Sequence, residues 1–146
     1  MRLERRVQFC LQANDPVSAR KLLATPDTAL ARLSVFKDLT LKDGVLEGVL
    51  AAPFVLIGEV RFPFRSRFTL RANEAELTPL PQREDNDTRA VLSGTARLNG
   101  DRVCYEASVA LQLSLPEGEK WGGRAFRKMA EAAFERTLTR TLNEIS

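Results

Sequence analysis

The chain has 146 residues, a formal net charge of +3 and no histidine, with 44% hydrophobic and 28% charged residues. That is globular composition, which excludes a disordered or fibrous chain, and the mild, dispersed basic balance is not the dense footprint of a nucleic-acid binder. Without histidine there is no Ser-His-Asp or Cys-His catalysis, and two cysteines cannot complete a four-ligand zinc site, so neither metal nor cofactor is expected.

Residues 2–12 alternate, with Leu3, Val7, Phe9 and Leu11 on one face and Glu4, Arg6, Gln8 and Gln12 on the other. Period two predicts a half-buried strand in place of the apolar run of a signal peptide. Asp15-Pro16 then supplies an N-cap followed by proline at the first helical position, predicting a short helix to about residue 24. Thr25-Pro26-Asp27 interrupts it, and Asp27 is the expected cap of a second short helix ending near Leu33.

Strands follow at 35–42 and 45–51, joined by the hairpin dipeptide Asp43-Gly44. The next strand sets Val60, Phe62, Phe64, Phe68 and Leu70 against Arg61, Arg65, Arg67 and Arg71. A turn at Ala72-Asn73 leads to a strand at 74–80, and the polar, proline-containing stretch 79–87 reads as a loop. Strands at 89–98 and 102–115 are joined by Asn99-Gly100, a strong hairpin signal. Residues 117–145 carry Trp121, Phe126, Met129, Ala130, Ala133, Phe134, Leu138, Leu142 and Ile145 at three- and four-residue steps, one apolar helical stripe. The apolar stretch 49–57 is broken by Pro53 and too short to span a bilayer, and the expected location is cytoplasmic.

This order resembles the helix-grip fold of the START and Bet v 1-like (SRPBCC) superfamily, and within it the uncharacterised bacterial families. The resemblance covers residues 1–146 as one domain and rests on element order, not on a motif. It implies an α+β architecture: a seven-stranded antiparallel sheet wrapped around a long C-terminal helix, with two short helices after the first strand. It also implies a cavity between sheet and helix in which relatives bind lipids, sterols, quinones or polyketides. Many relatives carry a glycine-rich loop early in the sheet; here there are only Asp43-Gly44 and Gly48.

The expected cavity lining is Phe62, Phe64, Ser66, Phe68, Leu92, Gly94, Tyr105, Val109, Trp121, Phe126 and Met129, with Tyr105 or Ser66 as a polar anchor. Small inward residues on one strand (Ala90, Gly94, Ala96) leave room that either a ligand or a bulky helix fills. The functional expectation is binding of a hydrophobic small molecule or lipid. The alternative is a non-catalytic protein-interaction module using the stripe Arg61, Arg65, Arg67 and Arg71, whose charges cross-strand pairing with Glu74 and Glu76 would also explain. No catalytic constellation is evident, and a cyclase-like activity on an apolar substrate is the third reading. In a helix grip the first and last strands pair, which brings Cys10 and Cys104 together on the outer face; a cytoplasmic location favours reduced thiols there. Ligand identity and oligomeric state are left open.

Overall fold

The computed structural model describes residues 1–54, 58–82, 88–113 and 123–145. Its strands are β1 (Arg2–Gln12), β2 (Phe36–Lys42), β3 (Val45–Phe54), β4 (Gly58–Arg71), β5 (Glu74–Pro79), β6 (Arg89–Asn99) and β7 (Arg102–Gln112), and its helices α1 (Pro16–Ala24), α2 (Pro26–Leu30) and α3 (Gly123–Asn143). They form one antiparallel sheet in the order β1-β7-β6-β5-β4-β3-β2. The sheet curls over α3, which makes this the α+β helix-grip fold expected from the element order. Over its 21 residues α3 is about 32 Å long. The expected helix start at residue 117, Trp121, the strand end at 114–115 and the loop residues 83–87 lie outside the described residues.

Local chemistry explains most element ends. Asp15 accepts a hydrogen bond from the Ser18 N–H at 2.7 Å, and Pro16 follows at the first position of α1. That hydrogen bond holds the Asp15 carboxyl below its ordinary range, so the cap is intact at neutral pH and is lost on acidification through the lowered value. The cap of α2 is Thr25 and not Asp27, which lies in the first turn; the Thr25 hydroxyl donates back to the Lys21 carbonyl at 2.9 Å. Asp43 and Gly44 both take positive φ, +53° and +73°, as a tight hairpin requires. At the second hairpin the turn is Gly100-Asp101, because Asn99 is still paired with Arg102. Pro63 sits where β4 pairs with β3 but not yet with β5, so its missing N–H costs no ladder bond.

The inner face holds the core: Leu3 and Leu11 from β1, Leu46 and Leu50 from β3, Phe62 and Phe64 from β4, Val103, Val109 and Leu111 from β7, and Phe126, Ala130, Ala133, Phe134 and Leu138 from α3. Leu22, Leu23 and Leu30 close one end from α1 and α2.

One expectation is corrected at the sheet's edge. Cys10 and Cys104 face each other in the β1–β7 register, Cα atoms 4.0 Å apart, and are joined by a disulfide rather than left as two thiols. The antiparallel register makes them direct cross-strand partners, and at that separation their side chains meet.

Candidate functional site

An apolar cavity of about 30 Å³ lies between the sheet and the C-terminal half of α3. The sheet gives it Val7 and Phe9 from β1, Leu50 from β3, Leu77 from β5, Leu92 from β6, and Tyr105, Ala107 and Val109 from β7. Leu30, Leu33, Val35 and Phe36 come from the end of α2, the connection after it and the first residue of β2, and α3 adds Leu138, Thr141 and Leu142. The volume suits about one water, far below the several hundred Å³ of a typical ligand pocket. Packing has nearly filled the space that the small inward residues leave.

Tyr105 borders the cavity, but its hydroxyl does not open onto it, and the cavity surface is wholly apolar. The side chain is 4% exposed, and its hydroxyl is buried with no hydrogen-bond partner among the described residues. Stacking fixes the ring: Phe9, its direct partner across β1 and β7, lies parallel at a centroid distance of 5.1 Å. Burial drives the phenol's pKa well above its ordinary value, so the group stays protonated and acts as a donor. Buried polar groups are almost always paired, and an orphan marks either stored cost or a missing partner.

Beside this, Ser66 is satisfied. Its hydroxyl, fully buried, donates to the Leu92 carbonyl at 2.6 Å and ties β4 to β6. Having spent its proton there, it is not the free anchor the sequence suggested.

Of the expected lining, Leu92, Tyr105 and Val109 border the cavity. Phe62 and Phe64 are buried but packed into aromatic pairs with Phe54 (5.9 Å) and Phe36 (5.7 Å). Phe68 is half-buried at the margin of the core, and Phe126 is buried near the start of α3. Met129 is 41% exposed: it lies on the shoulder of the helical stripe, and Phe126, Ala130 and Ala133 take the inward positions. Gly94 does not make room in the cavity. A Cβ there would stand 2.2 Å from the Glu106 carbonyl oxygen, so the missing side chain serves the close approach of β6 to β7. Trp121 lies outside the described residues. The sequence showed Val7 and Phe9 on the inner face but not the segment 33–36, whose position depends on how α2 folds back.

A clamp joins two parts of this wall. Ser34 lies between Leu33 and Val35, and its hydroxyl and N–H donate to the Glu144 carboxylate at 2.9 and 3.4 Å. Glu144 follows Leu142 just past the end of α3. At the other strand edge, Arg5 on the inner side of β1 is ion-paired with Glu135 of α3.

On the outer face the arginine stripe is partly neutralised. Arg65 pairs with Glu47 at 3.0 Å and Arg61 with Asp38 at 3.6 Å, while Arg67 and Arg71 make no ion pair among the described residues. Arg71 stands opposite Glu74 in register, as expected from the turn, but Glu74 pairs across its other side with Arg97 at 3.5 Å. Among the described residues no cluster of side chains is arranged to hold a metal, and no helix is long and apolar enough to cross a membrane.

The model of a family described as "Protein of unknown function (DUF3809)" matches residues 8–143, and the chain belongs to that family. No curated protein matches it by sequence. Among solved structures it is similar to the Zhui aromatase/cyclase from Streptomyces sp. R1128, with a TM-score of 0.52 and 16% identity over 99% of this chain and 92% of that one. A protein from Thermus thermophilus gives a TM-score of 0.50 and 15% identity, covering 98% and 97% of the two chains. A START superfamily protein from Mycobacterium smegmatis gives 0.41 and 9%, covering 99% of each. At these identities the likeness is one of fold.

Proposed function

We propose that this chain, as a member of the DUF3809 family, sequesters an apolar small molecule or lipid between its sheet and α3. The observation that carries the reading is the wholly apolar cavity enclosed between the sheet and the C-terminal half of α3. A site for a hydrophobic ligand needs apolar surface for affinity and one or two polar groups for orientation. The lining side chains supply the first, and the unpartnered Tyr105 hydroxyl is the candidate for the second once the site opens. The lining residues hold hydroxyls and carbon but no acid or base, which favours binding over turnover.

With a cavity of only about 30 Å³, the reading requires the fold to open for a ligand to enter. On this reading entry is where the last turns of α3 meet the segment around Ser34, with the Ser34–Glu144 hydrogen bonds as the polar contact across that seam. Both clamp residues are exposed, so the clamp itself contributes little stability. Glu144→Ala is expected to change stability by less than about 1 kcal/mol while speeding uptake of an apolar dye on the order of twofold to fivefold. Stopped-flow fluorescence measures it, and unchanged uptake would place the mouth elsewhere.

The reading itself is tested by native mass spectrometry of freshly purified protein and by Nile red binding, each with wild type and Tyr105→Phe. A bound mass or a saturable dye signal is the expected result. Its absence under all conditions, with the protein folded, removes the reading. Tyr105→Phe carries a second, opposite signature. Deleting an unsatisfied buried hydroxyl should stabilise the ligand-free protein by about 1–2 kcal/mol, a rise in Tm of roughly 3–6 °C. A fall in Tm would mean that the hydroxyl already has a partner.

A further inference from the structure

We propose that the solvent face of α3 docks on an anionic lipid surface, which it meets through Arg124, Lys128, Arg136 and Arg140. This contact is separate from the cavity, and neither requires the other.

Charge on this helix is sorted by face. Phe126, Ala130, Ala133, Phe134 and Leu138 are buried against the sheet side. Arg124, Lys128, Arg136 and Arg140 are exposed, and none makes an ion pair among the described residues. The two acids of α3 are both engaged, Glu131 by Arg127 at 3.0 Å and Glu135 by Arg5 of β1. Arg127 also reaches the Arg2 carbonyl, so both pairs lie on the flank of the helix nearest β1. Arg124, Lys128, Ala132, Arg136 and Arg140 follow one another at four-residue steps, one ridge about 24 Å long. Its four cations exceed the chain's net charge of +3, so the rest of the chain carries no net positive charge.

The surroundings of these cations favour a lipid surface over other polyanions. Protein interfaces draw affinity from a desolvated centre of aromatic and large apolar side chains. Beside the cations stand Ala125, Ala132 and Thr139, and Met129 is the one exposed large apolar side chain of α3 among the described residues. Binders of single-stranded nucleic acid stack bases on aromatic rings, and the exposed face of α3 carries none. A membrane demands no fixed partner geometry, because its negative charge is spread over a plane that flexible Lys and Arg side chains reach wherever they point. Each basic residue near such a surface raises binding roughly fivefold, so four together support a reversible, salt-sensitive attachment. The apolar face of α3 is occupied by the sheet, so the helix lies along the headgroups and does not sink among the chains.

Co-sedimentation with vesicles tests this, using phosphatidylcholine with one quarter phosphatidylglycerol against phosphatidylcholine alone. The expected result is binding to the mixed vesicles only, at 0.1 M salt and not at 0.5 M. Lys128→Gln with Arg136→Gln should weaken it about 25-fold, at roughly fivefold per cation. Both sites are exposed and Gln is a good helix former, so the melting temperature should not move. Arg67→Gln with Arg71→Gln removes the same charge from the sheet face and should change vesicle binding by less than about twofold. Equal losses in the two double variants would reduce the effect to net charge and overturn the docking face. Absence of binding to mixed vesicles at low salt would overturn it too. If polyglutamate or duplex DNA then bound, and Lys128→Gln with Arg136→Gln abolished that binding, the face would belong to an acidic protein or a nucleic acid instead. None of these results touches Nile red binding without vesicles, which reports on the cavity alone.

Discussion

Gly94→Ala is expected to lower the melting temperature by about 10 °C, a large effect for a single methyl group. Gly94 has φ of +152°, and a Cβ built there would stand 2.2 Å from the Glu106 carbonyl oxygen and 2.7 Å from the Ala107 Cα. Both contacts are backbone, in the strand directly paired with β6, so neither can swing aside as a side-chain tip would. Relief requires β6 and β7 to separate at the centre of the sheet, where Gly94 is paired with Ala107 on one side and Leu77 on the other. Backbone strain and overpacking each cost about 1–3 kcal/mol, so roughly 3 kcal/mol in total is expected. At about 3 °C per kcal/mol for a domain of this size, that is the stated shift. Gly100→Ala is the internal control. Its φ is also positive, at +61°, but nothing lies within 4 Å of the added atom. It should cost about 1 kcal/mol, the conformational term alone. Equal losses in the two variants would mean that the close approach of β6 to β7 plays no part.

Gly94 also shows where the sequence stopped being legible. Its place in the row Ala90, Leu92, Gly94, Ala96 was plain from period two, and a small residue on an inner face reads as space. The space belongs to the backbone, and only the strand separation reveals that. The same limit applies to the aromatics: Phe62, Phe64 and Phe68 alternate so clearly that their common face was never in doubt. Which part of that face stays unfilled depends on how rings pair, and Phe54–Phe62 and Phe36–Phe64 close the β3–β4 end. The void falls instead between β1, β6 and β7 on one side and Leu50, Leu77 and residues 33–36 on the other, and no periodicity encodes the position of that last segment. Tyr105 was legible as an inward phenol among apolar neighbours. That its hydroxyl lacks a partner among the described residues is a property of everything around it. Register was readable where turn chemistry was unambiguous, as at Asp43-Gly44 and Ala72-Asn73, and slipped by one residue at Asn99-Gly100, where the turn is Gly100-Asp101. The Cys10–Cys104 contact came from none of these signals: the resemblance to the helix-grip fold implied that the first and last strands pair, and it did not imply a disulfide.

That disulfide carries the other large effect. Replacing Cys10 and Cys104 together by serine is expected to cost about 4 kcal/mol, lowering the melting temperature by roughly 12 °C. The bridge spans 94 residues, and closing so long a loop removes much of the entropy of the unfolded chain. It acts on a strand with limited support: β1 is an edge strand, paired only with β7 among the described residues, and after Gln12 the pairing ends with one hydrogen bond from the Ala13 N–H to the Asp101 carbonyl at 2.8 Å. A thermal melt of wild type in strong reductant should coincide with that of the double variant, and a thiol assay on unreduced, denatured wild type should find no free cysteine. Coincident melts for oxidised and reduced wild type would show that the covalent tie adds nothing to the β1–β7 ladder. The consequence reaches the cavity, because Phe9 and Tyr105 are the chain neighbours of Cys10 and Cys104 and stack on the inner face behind the bridge. The covalent bond outside and the ring stack inside hold the same two strands at the same level. Reduction should therefore loosen the stack that fixes the Tyr105 hydroxyl, and dye uptake should quicken in the reduced protein even at temperatures where it remains folded.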